Sequence, residues 1–155
     1  ILASLVGSEM CIRDSVDRDK LIINKINKDQ YFDPIKIYKK DLQVDYPIKI
    51  SFSTSNKMLI TDDPLSESFD YDKLRFPLLL RNWHKGDKFI PLGMKNFKKL
   101  SDFFVDEKIS ISEKDTTWLL FSESNLVWVI GKRIDDRFKV TSKTKKTYIA
   151  SINSI

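Results

Sequence analysis

Three groups of cations carry the chemistry this sequence can do. Arg81, Lys85 and Lys88 bracket Gly86. Lys95, Lys98 and Lys99 stand just ahead of a predicted helix. Lys132, Arg133, Arg137 and Lys139 follow the apolar run Leu126 to Ile130. Clustered Lys and Arg bind anions, above all phosphate. The helix dipole disfavours cations at a helix start. The second group makes sense there if a phosphate docks on the free N–H groups of the first turn. If Arg133, Arg137 and Lys139 lie in a strand-like segment, they share one face as a stripe. The bland alternative is a solvated lysine-rich surface.

Other chemistry lacks materials, and no catalytic or metal-ligating residue is assigned. The chain has one histidine, His84, beside a basic turn, where it reads as a surface or RNA-contacting residue. The single cysteine, Cys11, lies in an atypical leading stretch, so a disulfide within the chain is excluded. No His, Cys and carboxylate cluster has metal-ligand spacing. Asp135 and Asp136 are adjacent, and neighbouring strand residues point to opposite faces. After that stretch the glycines are Gly86, Gly93 and Gly131, too far apart for a loop that cradles nucleotide phosphates.

The elements that must hold these cations read mostly as strands. Leu21–Ile23 is a short apolar run, and Ile35–Tyr38 and Ile48–Ser53 alternate with period two. Asp70–Leu74 reads as a helical turn or a tight connection and Phe76–Trp83 as a buried strand. Gly86-Asp87 turns the chain into a return strand, Lys88–Ile90. Pro91–Met94 is a second turn, with Gly93 at positive φ. Lys99–Lys108 is the main helix, its apolar stripe built on Leu100, Phe103 and Phe104. A further turn at Ser112–Asp115 takes Ser112 as its cap. Trp118–Phe121 and Leu126–Ile130 are buried strands joined by a Ser122–Asn125 loop, and Thr147–Ser151 closes the chain. Phe103, Phe104, Trp118 and Trp128 belong to the core. Trp83 and Phe97 are the aromatics expected to be exposed near the cations, where base stacking and plain packing both stay open.

The chain has 155 residues, 41% of them hydrophobic and 32% charged, which suits one soluble folded domain. No apolar run approaches the roughly 18 residues needed to span a bilayer. Residues 1–15 lack an initiator Met, and Ser4–Ser15 looks like translated sequencing adapter. That stretch is expected to be non-native, with residues 16–155 as one domain and the natural protein continuing upstream. Residues 16–74 carry 10 Lys and Arg against 11 Asp and Glu, while residues 75–155 carry 16 against 9. The basic excess thus sits with the three cation groups.

Three motifs occur in order between Arg75 and Val140. They are Arg81-Asn82-Trp83-His84-Lys85-Gly86-Asp87 continuing through Pro91-Leu92-Gly93-Met94, then Lys98-Lys99-Leu100-Ser101-Asp102-Phe103-Phe104, then Gly131-Lys132-Arg133-Ile134-Asp135-Asp136-Arg137-Phe138-Lys139-Val140. Together they resemble the C-terminal domain of the tRNA(Ile)-lysidine synthase family. The motif core spans residues 75–151, and the resemblance thins before Leu74. Residues 16–74 are either the first strands of the same domain or a linker region.

The resemblance implies an α+β fold, a strand-rich small β-sandwich of SH3-like topology with one main helix. It implies a tRNA-docking fragment in the cytoplasm, inactive on its own. Its parent enzymes join lysine to C2 of cytidine 34 of an isoleucine tRNA, using ATP with Mg. Those cofactors belong to the parent, and none is expected in this fragment. The expected partners are the acceptor-stem side of the tRNA and the parent's own N-terminal catalytic domain, with no membrane. Within the matched motifs the expected tRNA-binding residues are Arg81, Lys85, Lys95, Lys98, Lys99, Lys132, Arg133, Arg137 and Lys139. Two other readings remain at this point: an RNA-binding module of another parent, and a protein-interaction domain whose basic surface meets an acidic partner. A free-standing hydrolase has little residue support.

Overall fold

The computed structural model describes residues 10–17, 20–27 and 32–153. In chain order the strands begin with β1 (Met10–Asp17), β2 (Lys20–Asn27), β3 (Ile35–Ile37), β4 (Gln43–Val44), β5 (Ile50–Ser55) and β6 (Ser66–Asp70). After β7 (Leu78–Asn82), β8 (Lys88–Phe89) and β9 (Lys98–Lys99) come two helices, α1 (Leu100–Asp106) and α2 (Ile111–Asp115). The chain finishes with β10 (Trp118–Ser122), β11 (Asn125–Val129), β12 (Arg133–Ile134) and β13 (Thr147–Ile152). This is the strand-rich α+β fold expected from the sequence.

One sheet runs β12-β11-β10-β7-β3 and a second runs β4-β5-β13-β6, all antiparallel. Among the described residues β8 and β9 pair only with each other, as do β1 and β2. Of the stretch expected to be non-native, residues 1–9 lie outside the described residues and Met10–Ser15 fall in β1.

The five-stranded sheet is apolar on both faces because its strands alternate between two cores. Leu78, Leu80, Trp118 and Leu120 point to one side, against Ile50, Phe52, Phe69, Tyr148 and Ala150 of the other sheet. Leu79, Leu119 and Phe121 point to the opposite side, against Phe89, Leu100, Phe103 and Phe104. β11 breaks the alternation, with Val127 and Trp128 both in the larger core and Leu126 and Val129 in the smaller. The cause is a register shift between Leu120 and Phe121, where an extra residue on β11 forms a bulge.

Several boundaries differ from those read in the sequence, each for a local hydrogen-bonding reason. β3 stops at Ile37 because the Tyr38 N–H donates to the Asp41 carboxylate at 2.7 Å. β7 starts after Pro77, which has no N–H to give to a ladder. β8 stops at Phe89 because the Ile90 N–H donates to Asp135 at 2.9 Å. The main helix is seven residues, not ten: Lys99 pairs as a strand, and Lys108 ends the helix at φ 54. There the Ile109 N–H returns to the Phe104 carbonyl at 2.9 Å and the Lys108 N–H to Val105 at 3.0 Å, a Schellman ending. The cap of α2 is Ser110 rather than Ser112, accepting the Glu113 N–H at 3.2 Å. β10 extends through Ser122, which leaves a two-residue hairpin loop of Glu123 and Ser124. The helical turn after Asp70 is a 3-10 turn, Tyr71–Lys73, capped by that aspartate.

Candidate nucleic-acid interface

The β8–β9 ladder sorts four residues onto two sides. Lys88 stands opposite Lys99 and Phe89 opposite Lys98. Phe89 is fully buried and meets the edge of Phe103 at 5.2 Å between ring centroids. Lys98 lies on that inner side, and its ammonium is bonded to Asp106 at the end of α1. Lys88 and Lys99 lie on the outer side, exposed, and neither has a carboxylate partner among the described residues. Like charges directly opposite on a ladder are unfavourable. A phosphate between them would turn that repulsion into two charge-assisted hydrogen bonds.

At the helix start, where a phosphate was expected, part of the first turn is already in use. α1 is short, and its first N–H, from Leu100, donates to the Asp87 carbonyl at 2.8 Å. Unpaired charge collects on the ladder instead.

The loop from Pro91 to Phe97 that joins the two strands is pinned along its first half. Leu92 N–H donates to the Ile134 carbonyl at 3.1 Å, and Gly93 N–H to the Asp136 carboxylate at 3.0 Å. Asp136 N–H donates to the Ile90 carbonyl at 2.7 Å. Gly93 sits at φ 87, as expected, which lets its N–H turn toward Asp136. The Gly93 N–H and then the Lys139 ammonium hold the Asp136 carboxyl below its usual range, against slight burial. Asp135 and Asp136 thus do diverge, one serving the buried end of the loop and the other its exposed turn.

Arg81 grips Asp87 through two parallel hydrogen bonds of 2.9 and 2.8 Å, and its guanidinium lies 4.1 Å from the centre of the Phe121 ring. Asp87 also accepts the His84 N–H at 2.7 Å, closing the turn that carries Lys85 and Gly86. Burial pushes the Asp87 carboxyl up, but Arg81 and the His84 N–H together outweigh it and hold the group low. Arg81, expected to face tRNA, therefore shapes the loop.

The C-terminal cation group is not a stripe. β12 ends at Ile134 and the chain turns through a 3-10 turn at Asp136–Phe138. Each member holds a carboxylate: Lys132 with Glu113 at 2.5 Å, Arg133 with Glu107 at 3.7 Å, Arg137 with Asp135, and Lys139 with Asp136 at 2.9 Å. Arg137 makes two bonds of 2.9 Å to Asp135, which is fully buried, and one of 3.2 Å to Asn125.

Of the nine expected cations, Lys85, Lys95 and Lys99 are exposed without a carboxylate partner among the described residues. Lys88 joins them although it stands outside the expected set. The signal for it is the recurrence of Lys-Phe-Ile and Phe-Lys-Lys on either side of a Pro-Gly turn, two short segments suited to pair. Lys85 and Lys95 occupy the two loops that flank the ladder. Of the aromatics, Trp83 is half-buried against Phe104, while Phe97 is exposed. Among the described residues no group of three or more His, Cys, Asp or Glu could hold a metal, and no helix is long and apolar enough to cross a membrane.

Comparison with known proteins adds a family to this geometry. Residues 78–150 match the TilS substrate C-terminal domain. The chain is 44% identical over 145 residues to the tRNA(Ile)-lysidine synthase of Parabacteroides distasonis, covering 87% of this chain and 31% of that protein. It is 44% identical over 84 residues to the enzyme of the same name from Bacteroides thetaiotaomicron, covering 54% and 20%. The chain thus spans a third or less of these curated relatives. The first of these matches necessarily takes in much of the segment before residue 78. In fold the chain is similar to a crystal structure of a TilS C-terminal domain, with a TM-score of 0.66 and 16% identity, over 79% of this chain and 98% of that one. An N-terminal fragment of the phenylalanyl-tRNA synthetase β-subunit from Pyrococcus horikoshii follows, with a TM-score of 0.54 and 18% identity, over 92% and 58%.

Proposed function

Since residues 78–150 belong to the TilS substrate C-terminal domain family, we propose that this chain is the tRNA-holding C-terminal part of a tRNA(Ile)-lysidine synthase. The observation that supports the reading is the pair of lysines without a carboxylate partner among the described residues, Lys88 and Lys99, opposed on one ladder, with Lys85 and Lys95 in the adjoining loops. These four cations meet the sugar–phosphate backbone on the acceptor-stem side of an isoleucine tRNA. Backbone contact fixes the register of a nucleic acid without reading its sequence. An A-form stem is held mostly by shape and phosphate.

The parent reaction joins lysine to C2 of cytidine 34 with ATP and Mg, in the cytoplasm. Its chemistry belongs to the parent's N-terminal catalytic domain, with which this chain works as a holder of substrate. The residues here offer no glycine-rich phosphate loop and no cluster of metal ligands among those described.

The test is binding of the chain to an isoleucine tRNA transcript and to an RNA duplex of equal charge across a salt series. Four phosphate contacts give a slope of about −3 in log K against log salt, with the transcript preferred. Absence of binding to either RNA, or equal affinity for the two, would overturn the reading.

A further inference from the structure

Phe97 is 52% exposed and immediately precedes β9. Its ring centre lies 4.9 Å from the Lys88 ammonium and 5.0 Å from the Arg137 guanidinium. Arg137 is fixed in place by buried Asp135, whereas Lys88 has no carboxylate to hold it among the described residues. Leu92 and Met94, 46% and 42% exposed, lie on the same loop, whose backbone is bonded to Ile134 and Asp136. An apolar ring kept in water beside two cations is complementary to a ligand with both a π-face and a negative charge.

We propose that Phe97 is a stacking platform for an unpaired nucleotide of the bound RNA. This rests on the RNA-binding reading above. The base lies on the ring, and Lys88 leaves the ring for the phosphate that follows. Lys99, across the ladder, holds that same phosphate from the other side. Stacking needs no particular base, since each has a π-face. Phe97 immediately precedes β9, whose ladder to β8 holds the backbone beside the ring and lowers the ordering cost at the moment of binding. An acidic peptide would use the lysines and leave the ring idle.

The test compares two RNA hairpins with the same stem, one blunt and one with a short 3′ single strand whose first unpaired base is 2-aminopurine. The full 155-residue chain is used. The wild type is expected to favour the overhang about tenfold, the worth of roughly one stacked base, with quenching of the 2-aminopurine. Phe97→Trp keeps the preference and the quenching. Phe97→Leu, which keeps apolar bulk without a π-face, loses both. Binding to both hairpins with no preference, or a preference that survives Phe97→Leu, overturns this inference and leaves the RNA-binding reading standing. Binding to neither hairpin overturns both.

Discussion

Lys88 and Lys99 face each other across a two-residue ladder on its outer side, with no carboxylate partner for either among the described residues. Each replacement by Gln removes one phosphate contact and one half of the repulsion. Either single variant is expected to lower tRNA affinity and to flatten the salt slope by about one. Stability should hold or rise by about 0.3 kcal/mol, since opposed like charges cost a ladder a fraction of that order. Paired salt titrations and urea melts separate the two effects. A loss of stability with no change in slope would remove the ladder from the interface.

Asp135 is the converse case, a carboxylate that is fully buried and fully used. It accepts the Ile90 N–H, the Arg137 N–H and two guanidinium N–H groups, all at 2.8–2.9 Å. Asp135→Ala strands those donors and is expected to cost about 3 kcal/mol, the range for breaking a buried pair from one side. Urea unfolding measures it. A cost below about 1 kcal/mol, as for an exposed ion pair, would show that the loop is held by its backbone bonds alone.

The pH dependence follows from Asp87 and Asp136, both held below the ordinary aspartate value of 3.8. A carboxyl whose folded pKa is depressed adds stability above its unfolded value, and that stability is lost as pH falls through the folded value. Asp87→Asn should therefore be less stable than wild type at pH 7, with the difference closing as pH falls below 3.8 and through the depressed folded value. Glu67 works in the opposite sense. Its carboxyl is raised, by burial first and against the Ser68 N–H, so its ionisation costs stability as pH rises through the region of 4.5 and above. Glu67→Gln should steepen the net acid loss. Urea midpoints across an acid series read both.

Glu123 holds φ 55 at the first position of the two-residue loop between β10 and β11. A left-handed conformation costs a non-glycine residue roughly 1 kcal/mol. Glu123→Gly is expected to raise the melting temperature by about 3 °C for a chain of this size. An unchanged or lower value would mean that the glutamate side chain compensates for its backbone.

Among the described residues β1 and β2 have ladder bonds only to each other. A chain beginning at Phe32 is expected to keep the melting temperature and RNA affinity of the full sequence. A large fall in either would show that residues before Phe32 support the domain.

Much of the frame is legible from residue order. Alternation marks β5, the long apolar runs mark β10 and β11, and Gly93 announces its turn. What is not legible is how each cation is used. Lys98 and Lys99 are neighbours of the same type, yet strand alternation sends one toward Asp106 and the other toward solvent. Arg137 reads as a surface cation until Asp135 is placed beside it and Ile90 is brought across 45 positions of sequence. The bulge in β11 is equally silent, because it depends on the register with β10. Spacing specifies a face. Whether a charge is free on that face depends on contacts between segments distant in the chain.

A sheet with two dry faces divides the interior into separate compartments with a common wall. The lysine ladder leans on the smaller compartment through Phe89, and the four-stranded sheet lies wholly on the other side. Damage at Phe103 or Phe104 thus falls first on the ladder, whereas damage at Leu119 or Leu120 enters through the wall itself. Hydrogen exchange would register this as two protection levels, with the ladder and α1 opening ahead of β5 and β13.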